Sequence, residues 1–160
     1  MYFGTAANVH AKFLFLRYSI GLSKYTCVLL LFDNYIYIYS NGRIGKFLNN
    51  RPCLILHTTG AKTNLERKNV LVFLKEDNEI CIVASKGGSD TNPGWYHNLK
   101  KYPECEIQIG REKFKAVSRE IFEDEKNEWW NKMDYMNNGG YSAYQRRTER
   151  KIPVLILNIS

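Results

Sequence analysis

Two short stretches of this sequence set glycine, hydroxyls and positive charge side by side. The first is Thr58-Thr59-Gly60-Ala61-Lys62-Thr63-Asn64-Leu65-Glu66-Arg67; the second is Ser85-Lys86-Gly87-Gly88-Ser89-Asp90-Thr91-Asn92. Glycine lets backbone N–H groups come close to an anion, and a helix N-terminus adds outward-pointing donors. Lys62, Arg67 and Lys86 would then supply charge-assisted bonds to phosphate oxygens. Neither stretch has the spacing of a Walker A loop or of G-x-G-x-x-G, which disfavours nucleoside triphosphates and nicotinamide dinucleotides. Taken bare, either stretch reads first as an ordinary turn, as most glycine-rich loops are.

Aromatic rings form the other constellation. Trp95, Tyr96, Tyr135, Tyr141 and Tyr144 could wall a flat ligand, or could simply pack in a core. His10, His57 and His97 share no ligand spacing, and no metal site is read. Cys27, Cys53, Cys81 and Cys105 are too far apart for a zinc knuckle or a C-x-x-C pair. Cys53, Cys81 and Cys105 fall in apolar strand-like runs and read as small hydrophobes in a reducing, cytoplasmic setting. No Ser/His/Asp or Cys/His nucleophile arrangement stands out.

The elements that must position these residues are mostly strands. Tyr35 to Tyr39 is a helix or strand closed by a turn at Asn41–Gly45, and Pro52 opens a strand through Leu56. Asn69–Leu74 and Glu79–Ala84 read as a hairpin about Asp77-Asn78, apolar at nearly every position and so covered on both faces. Asn92-Pro93 reads as an N-cap with proline at the first position of a helix ending near Lys101, before Pro103. Glu104–Ile109 and Lys113–Ser118 form a second hairpin about Gly110. Ser118 would cap the next helix, with Glu120 in its first turn and Trp129 and Trp130 further along. A polar stretch from Met136 to Gly140 leads to a helical turn over Tyr141–Arg147, and Pro153–Ile159 is a last strand. Hairpins with interposed helices argue for an α+β barrel rather than alternating βαβ units.

The chain has 160 residues, enough for one domain, with a net charge of +7 from 23 Lys+Arg against 16 Asp+Glu. That balance favours polyanions: nucleic acid, an anionic membrane face, or a phosphorylated and carboxylated small molecule. Lys and Arg are not gathered into one stripe, so nucleic acid is the weakest of these. Residues 1–33 carry Lys12, Arg17 and Lys24 among Phe13, Leu14, Phe15 and Leu16. They read as an N-terminal extension, helical or poorly ordered, with peripheral membrane contact as a second reading. No apolar run there reaches the length of a membrane span. The oligomeric state is not legible.

Read in order, several motifs carry a resemblance. They are Asn41–Gly45 (Asn-Gly-Arg-Ile-Gly), Leu56–Thr63 with Arg67, Ala84–Gly88 (Ala-Ser-Lys-Gly-Gly), and Asn92–Leu99 (Asn-Pro-Gly-Trp-Tyr-His-Asn-Leu). Tyr141–Gln145 and Thr148–Val154 follow. From about residue 34 to the end, the chain resembles the deazaflavin-dependent nitroreductase family. The resemblance implies a mostly antiparallel, FMN-binding-like split β-barrel with short peripheral helices over residues 34–160, and coenzyme F420 as the cofactor.

By that likeness Lys62, Thr63, Arg67, Lys86 and Gly87 hold the phosphate and nearby acidic tail of the cofactor. Ser85, Trp95, Tyr96 and Asn98 lie near its ring, and Ser85 also orients the acceptor. Tyr141 and Tyr144 line the acceptor site and join Ser85 as candidate catalytic residues, with Tyr135 as a third tyrosine reached across a small insertion. The implied reaction is hydride transfer to an organic acceptor: a quinone, a nitroaromatic or an enone. The proton would come from Ser85, a pocket tyrosine or water. FMN is the alternative cofactor, since related barrels bind it. Three positions depart from the family pattern: Asn64 stands where glycine is usual, Val70 where proline is common, and Val72 where some members have a pocket tyrosine. Asparagine tolerates positive φ, so the Asn64 turn can survive; the Val72 change weakens the case for nitroimidazoles.

Overall fold

The structure is a computed structural model, and it describes residues 36–40, 47–48 and 51–160. The Asn41–Gly45 turn and everything read into residues 1–33 lie outside the described residues. Residues 36–39 are helical. The strands are β1 (Phe47–Leu48), β2 (Arg51–Thr59), β3 (Glu66–Val72), β4 (Leu74–Glu76), β5 (Glu79–Val83), β6 (Glu104–Ile109), β7 (Glu112–Ile121) and β8 (Val154–Ile159). The helices are α1 (Gly94–Lys101), α2 (Glu123–Met136) and α3 (Gly140–Gln145), with a short 3₁₀ turn at Lys86–Gly88.

All pairings are antiparallel, in the order β1-β2-β6-β7-β8-β5-β4, and β3 joins β2 beyond the short β1 contact. The result is a curled half-barrel of the split-barrel kind, with the last strand in the chain lying between β7 and β5. Strand alternation explains how it is filled. Leu54 and Leu56 of β2, Ile80 and Ile82 of β5, and Leu155 and Leu157 of β8 share one core with Trp95, Leu99 and Ile107. The intervening residues Cys81, Val83, Val154 and Ile156 turn to the other face, where Trp129 and Met133 of α2 and Tyr141 of α3 cover them. In Asn69–Leu74 only Phe73 is buried and the rest are half-buried, whereas over Glu79–Ala84 the double coverage read from the apolar runs is present. Truncating one of these fully buried side chains, such as Leu54→Ala, is expected to cost about 2–5 kcal/mol. Cys53 and Cys81 are buried and Cys105 half-buried, all three free.

Four local expectations need correction. The run Asn69–Leu74 is split: β3 ends at Val72 and pairs with β2, while Glu79–Val83 pairs with the short β4. The break falls at Phe73, whose N–H donates to the Pro52 carbonyl (3.2 Å) and whose ring enters the main core. The Asp77 turn stands, with φ +50°. Helix α1 begins one residue late, at Gly94 after Pro93, and the Asn92 side chain caps nothing because it accepts from Arg150 instead. Ser118 and Glu120 belong to β7, not to the start of a helix, because pairing with β8 carries that strand on to Ile121. Among the described residues no helix is long and apolar enough to cross a membrane.

Candidate functional site

The first glycine loop is a closed turn between β2 and β3. Gly60 N–H donates to the Leu65 carbonyl and Asn64 N–H to the Gly60 carbonyl, each at 2.8 Å. Asn64 takes φ +57°, the left-handed conformation that its substitution for glycine had to permit. Helix α1 fastens this turn from one side. Asn98, only 8% exposed, accepts from Ala61 N–H (2.9 Å) and donates to Thr58 Oγ1 (3.0 Å). Lys101 Nζ donates to the Ala61 carbonyl (2.7 Å), and the Tyr102 hydroxyl donates to Asn64 Oδ1 (2.9 Å). Lys62, Thr63 and Arg67 are exposed, as are Asn64, Leu65 and Glu66, and Arg67 donates to Thr63 Oγ1 at 3.3 Å.

The second loop holds an unusual backbone. Ser85 is right-handed (φ −70°, ψ −39°), and Lys86, Gly87 and Gly88 follow at φ +46°, +64° and +83°. A right-handed residue followed by a left-handed one turns successive N–H groups toward one point, the concavity that binds anions. The turn is held in place by Arg150. Its Nε donates to the Ser89 carbonyl (2.7 Å), and one terminal nitrogen donates to Asn92 Oδ1 (2.7 Å). The other reaches the carbonyls of Ala84 (3.1 Å) and Ser85 (2.8 Å). Burial draws this guanidinium below its ordinary range, with Asp90 pulling the other way. Thr148 Oγ1 donates to Asp90 at 2.9 Å and locks the same loop from the side. Lys86 Nζ donates to Thr91 Oγ1 (2.8 Å) at the entry to α1.

The two loops therefore meet opposite ends of one helix, eight residues or about 12 Å long. Lys62, Arg67 and Lys86 join no ion pair among the described residues, unlike Lys100, Lys113, Arg119 and Lys132. Exposed cations without carboxylate partners, beside converging N–H groups, suit a ligand with several negative charges. Gly87 leaves open space where a side chain would stand, so an anion can approach the backbone there.

The second loop also touches α3. A Cβ on Gly88 would meet the Tyr144 carbonyl, and Arg147 donates to the Gly87 carbonyl (3.5 Å) while lying over the Tyr144 ring (5.5 Å). Tyr141 and Tyr144 are edge to face at 6.3 Å. Of the residues read from sequence, Lys62, Thr63 and Arg67 thus share one loop; Ser85, Lys86 and Gly87 share the other, next to Tyr144. The other candidates are engaged by the protein itself or lie elsewhere. Trp95 is 5% exposed inside the main core, so it backs the loops and walls no open cleft. Asn98 spends both ends of its amide on loop 1. The Tyr96 hydroxyl donates to Glu120 Oε2 (2.9 Å); burial and that carboxylate push its pKa up to about 12. Tyr141 is 6% exposed, and burial raises it well above the ordinary tyrosine range, so its phenol is a poor proton source. Tyr135 is 87% exposed and makes no ring contact with the other two among the described residues.

Two recesses are described, and neither is lined by the loop cations. One, about 420 Å3, lies between α2 and α3; the other, about 230 Å3, lies beside His57 and Glu66. The second recess does take Thr58, Thr59 and Glu66 from the stretch that carries the first loop. Arg150, Arg147 and Gly88 were not singled out by sequence reasoning. Arg150 stood inside a recognised motif, but its partners are 58 to 66 residues away, and no local spacing announces them.

The family model described as F420H(2)-dependent quinone reductase matches residues 32–158. The F420H(2)-dependent quinone reductase Rv1261c of Mycobacterium tuberculosis (strain ATCC 25618 / H37Rv) is 40% identical over 132 residues, covering 81% of this chain and 89% of that protein. Among solved structures, the F420-H2 dependent reductase FDR-A superposes with a TM-score of 0.62 at 35% identity. That match covers 68% of this chain and 95% of the other. A chain described as a domain-swapped dimer gives a TM-score of 0.64 at 31% identity, covering 85% and 100%.

Proposed function

Because this chain belongs to the F420H(2)-dependent quinone reductase family, we propose that it binds coenzyme F420 across its two glycine-bearing loops and reduces a quinone-type acceptor. When bound, the reduced deazaflavin supplies a hydride to an electron-poor acceptor, and the protein contributes position and electrostatics. The observation that carries the reading is the left-handed turn at Lys86–Gly88, pinned by Arg150 and joined through α1 to a second cation-bearing loop. Residues 34–160 serve as the reductase domain.

Each residue has a definite task in this reading. Lys62, Arg67 and Lys86 neutralise the phosphate and carboxylates of the cofactor's acidic arm, with Thr63 and the Gly87 backbone as further donors. Asn98 holds the first loop to α1, and Arg150 holds the second in its strained shape. Ser85 Oγ makes no hydrogen bond among the described residues, so it is free to donate to an acceptor oxygen. Tyr144 and Arg147 bound the acceptor side next to Gly87. The Tyr96 hydroxyl is engaged by Glu120, and Ser85, Tyr144 or water delivers the proton. Quinones are preferred to nitroaromatics and enones because the family is matched as quinone reductases.

The test is a fluorescence titration of the pure protein with F420 and, separately, with FMN, followed by turnover of the reduced cofactor against quinones, nitroaromatics and enones. Saturable binding of F420 and consumption of its reduced form with a quinone are expected. Binding of FMN alone would overturn the assignment.

A further inference from the structure

The recess between α2 and α3 is lined by Lys126, Asn127 and Trp130 from one helix and Ser142, Gln145 and Arg146 from the other and its end. Its volume, about 420 Å3, is in the range that holds a one- or two-ring molecule. Two of the lining groups are already committed. Ser142 Oγ donates to Asp134 and its N–H to the same carboxylate (2.9 Å), so Asp134 caps the start of α3 from across the recess. Gln145 donates to the Thr148 and Arg150 carbonyls (3.3 and 2.8 Å) and accepts from Ile152 N–H (2.9 Å). These fix two walls and leave nothing over for a ligand.

The remaining groups are donors with no partner. Lys126 Nζ and the Arg146 guanidinium make no hydrogen bond or ion pair among the described residues, and neither do the Asn127 amide and the Trp130 indole N–H. Lys126 is half-buried, and burial, with Lys151 adding to it, depresses its pKa. The carboxylate that attracts it, Glu120, is spent on the Tyr96 hydroxyl and on Lys100 at 3.2 Å. Glu125, in the same first turn of α2, is taken by Arg119. Lys126 is half-buried and Arg146 exposed; Glu120 and Glu125 being engaged elsewhere, these two cations line the recess without an ion pair among the described residues and can meet an incoming anion. Trp130 supplies the apolar wall, tilted against Tyr141 at 6.2 Å. Two cations beside an indole suit a carboxylate carried on a ring, since bare phosphate would leave the apolar wall of Trp130 unused.

We propose that this recess is a second binding site, for a small aromatic carboxylic acid: Lys126 and Arg146 pair its carboxylate and Trp130 receives its ring. The site is distinct from the loop face assigned to the cofactor and does not rest on that assignment.

The experiment follows the Trp130 indole N–H signal by NMR in the full-length protein, identified through Trp130→Phe, during titration with 2-naphthoate. 2-Naphthalenemethanol, the neutral isostere, and inorganic phosphate are titrated in parallel. A saturable shift with naphthoate is expected, with the alcohol and phosphate each at least about tenfold weaker, as loss of a charged pair or of the stacking surface implies. Lys126→Met and Arg146→Gln should each weaken naphthoate about tenfold or more while leaving F420 affinity unchanged. No saturable shift with naphthoate in the wild-type protein would overturn the site, whatever the variants do. Equal binding of the alcohol overturns the carboxylate, and equal binding of phosphate overturns the ring.

Discussion

A Cβ placed on Gly88 would stand 2.6 Å from the carbonyl oxygen of Tyr144, so the second glycine loop and α3 meet there backbone against backbone. Gly88 also sits at φ +83°, where a side chain is strained whatever the space. Gly88→Ala combines that strain with a steric clash and is expected to destabilise by about 2–5 kcal/mol. Gly87→Ala is the comparison: its φ is +64° but nothing lies within 4 Å, so only the conformational cost of about 1–2 kcal/mol remains. Denaturant melts of the two variants measure the difference. Equal losses would mean that the loop and α3 are not in contact.

Lys86 bears on the anion reading directly. Its Nζ donates only to the exposed Thr91 hydroxyl, so removing it leaves no buried group unpaired and should hardly change stability. Lys86→Ala is expected to weaken F420 binding by about 1–3 kcal/mol, the range for a lost charged hydrogen bond. The effect should shrink as salt is raised. A dissociation constant equal to the wild type at low salt would remove Lys86 from the cofactor site.

Asn98 acts at one remove. It makes two buried hydrogen bonds, to Ala61 N–H and Thr58 Oγ1, and both are lost in Asn98→Leu. Stability should fall by about 2–4 kcal/mol, since two partners are stranded. F420 affinity should fall as well, although Asn98 is buried with both ends of its amide engaged, because the turn bearing Lys62 and Thr63 loosens. Asn98→Asp keeps the bond from Ala61 and should recover part of both losses. Recovery of affinity without recovery of stability would contradict a positioning role.

How much of this was legible in the sequence follows from which interactions are local. The apolar runs of β2, β5 and β8 announce themselves, because both faces of each strand are covered. The partner of β3 does not, because Phe73 looks like one more apolar residue and its break depends on a bond to Pro52. Ser-Lys-Gly-Gly is visible as a possible anion turn, but its left-handed shape is enforced by Arg150 from a distant stretch of the chain. Trp95 and Tyr96 show why ring type alone cannot assign a site. Adjacent on α1, one fills the core and the other is tied to Glu120, twenty-four residues away. Lys62, Arg67 and Lys86 stand out in the sequence because cations beside glycines need no tertiary partner to be noticed.

The Tyr96–Glu120 pair gives a pH dependence with a definite sign. Desolvation first, then the bond to Glu120, pushes the Tyr96 phenol from its ordinary 10 up to about 12. The folded state therefore favours the protonated phenol. Its contribution to stability is fully present below about pH 10 and is lost as pH rises through about 12. Ultraviolet titration of phenolate, read as the difference between wild type and Tyr96→Phe, should show this tyrosine ionising in that upper window. Glu120→Gln removes the carboxylate but leaves the burial, so the midpoint should move part of the way back toward 10. Across the neutral range Tyr96 then keeps its proton, and the rate of acceptor reduction in Tyr96→Phe should follow the same pH profile as the wild type. A large fall in the rate of acceptor reduction in Tyr96→Phe across the neutral range, with F420 affinity intact, would return that phenol to the list of proton donors.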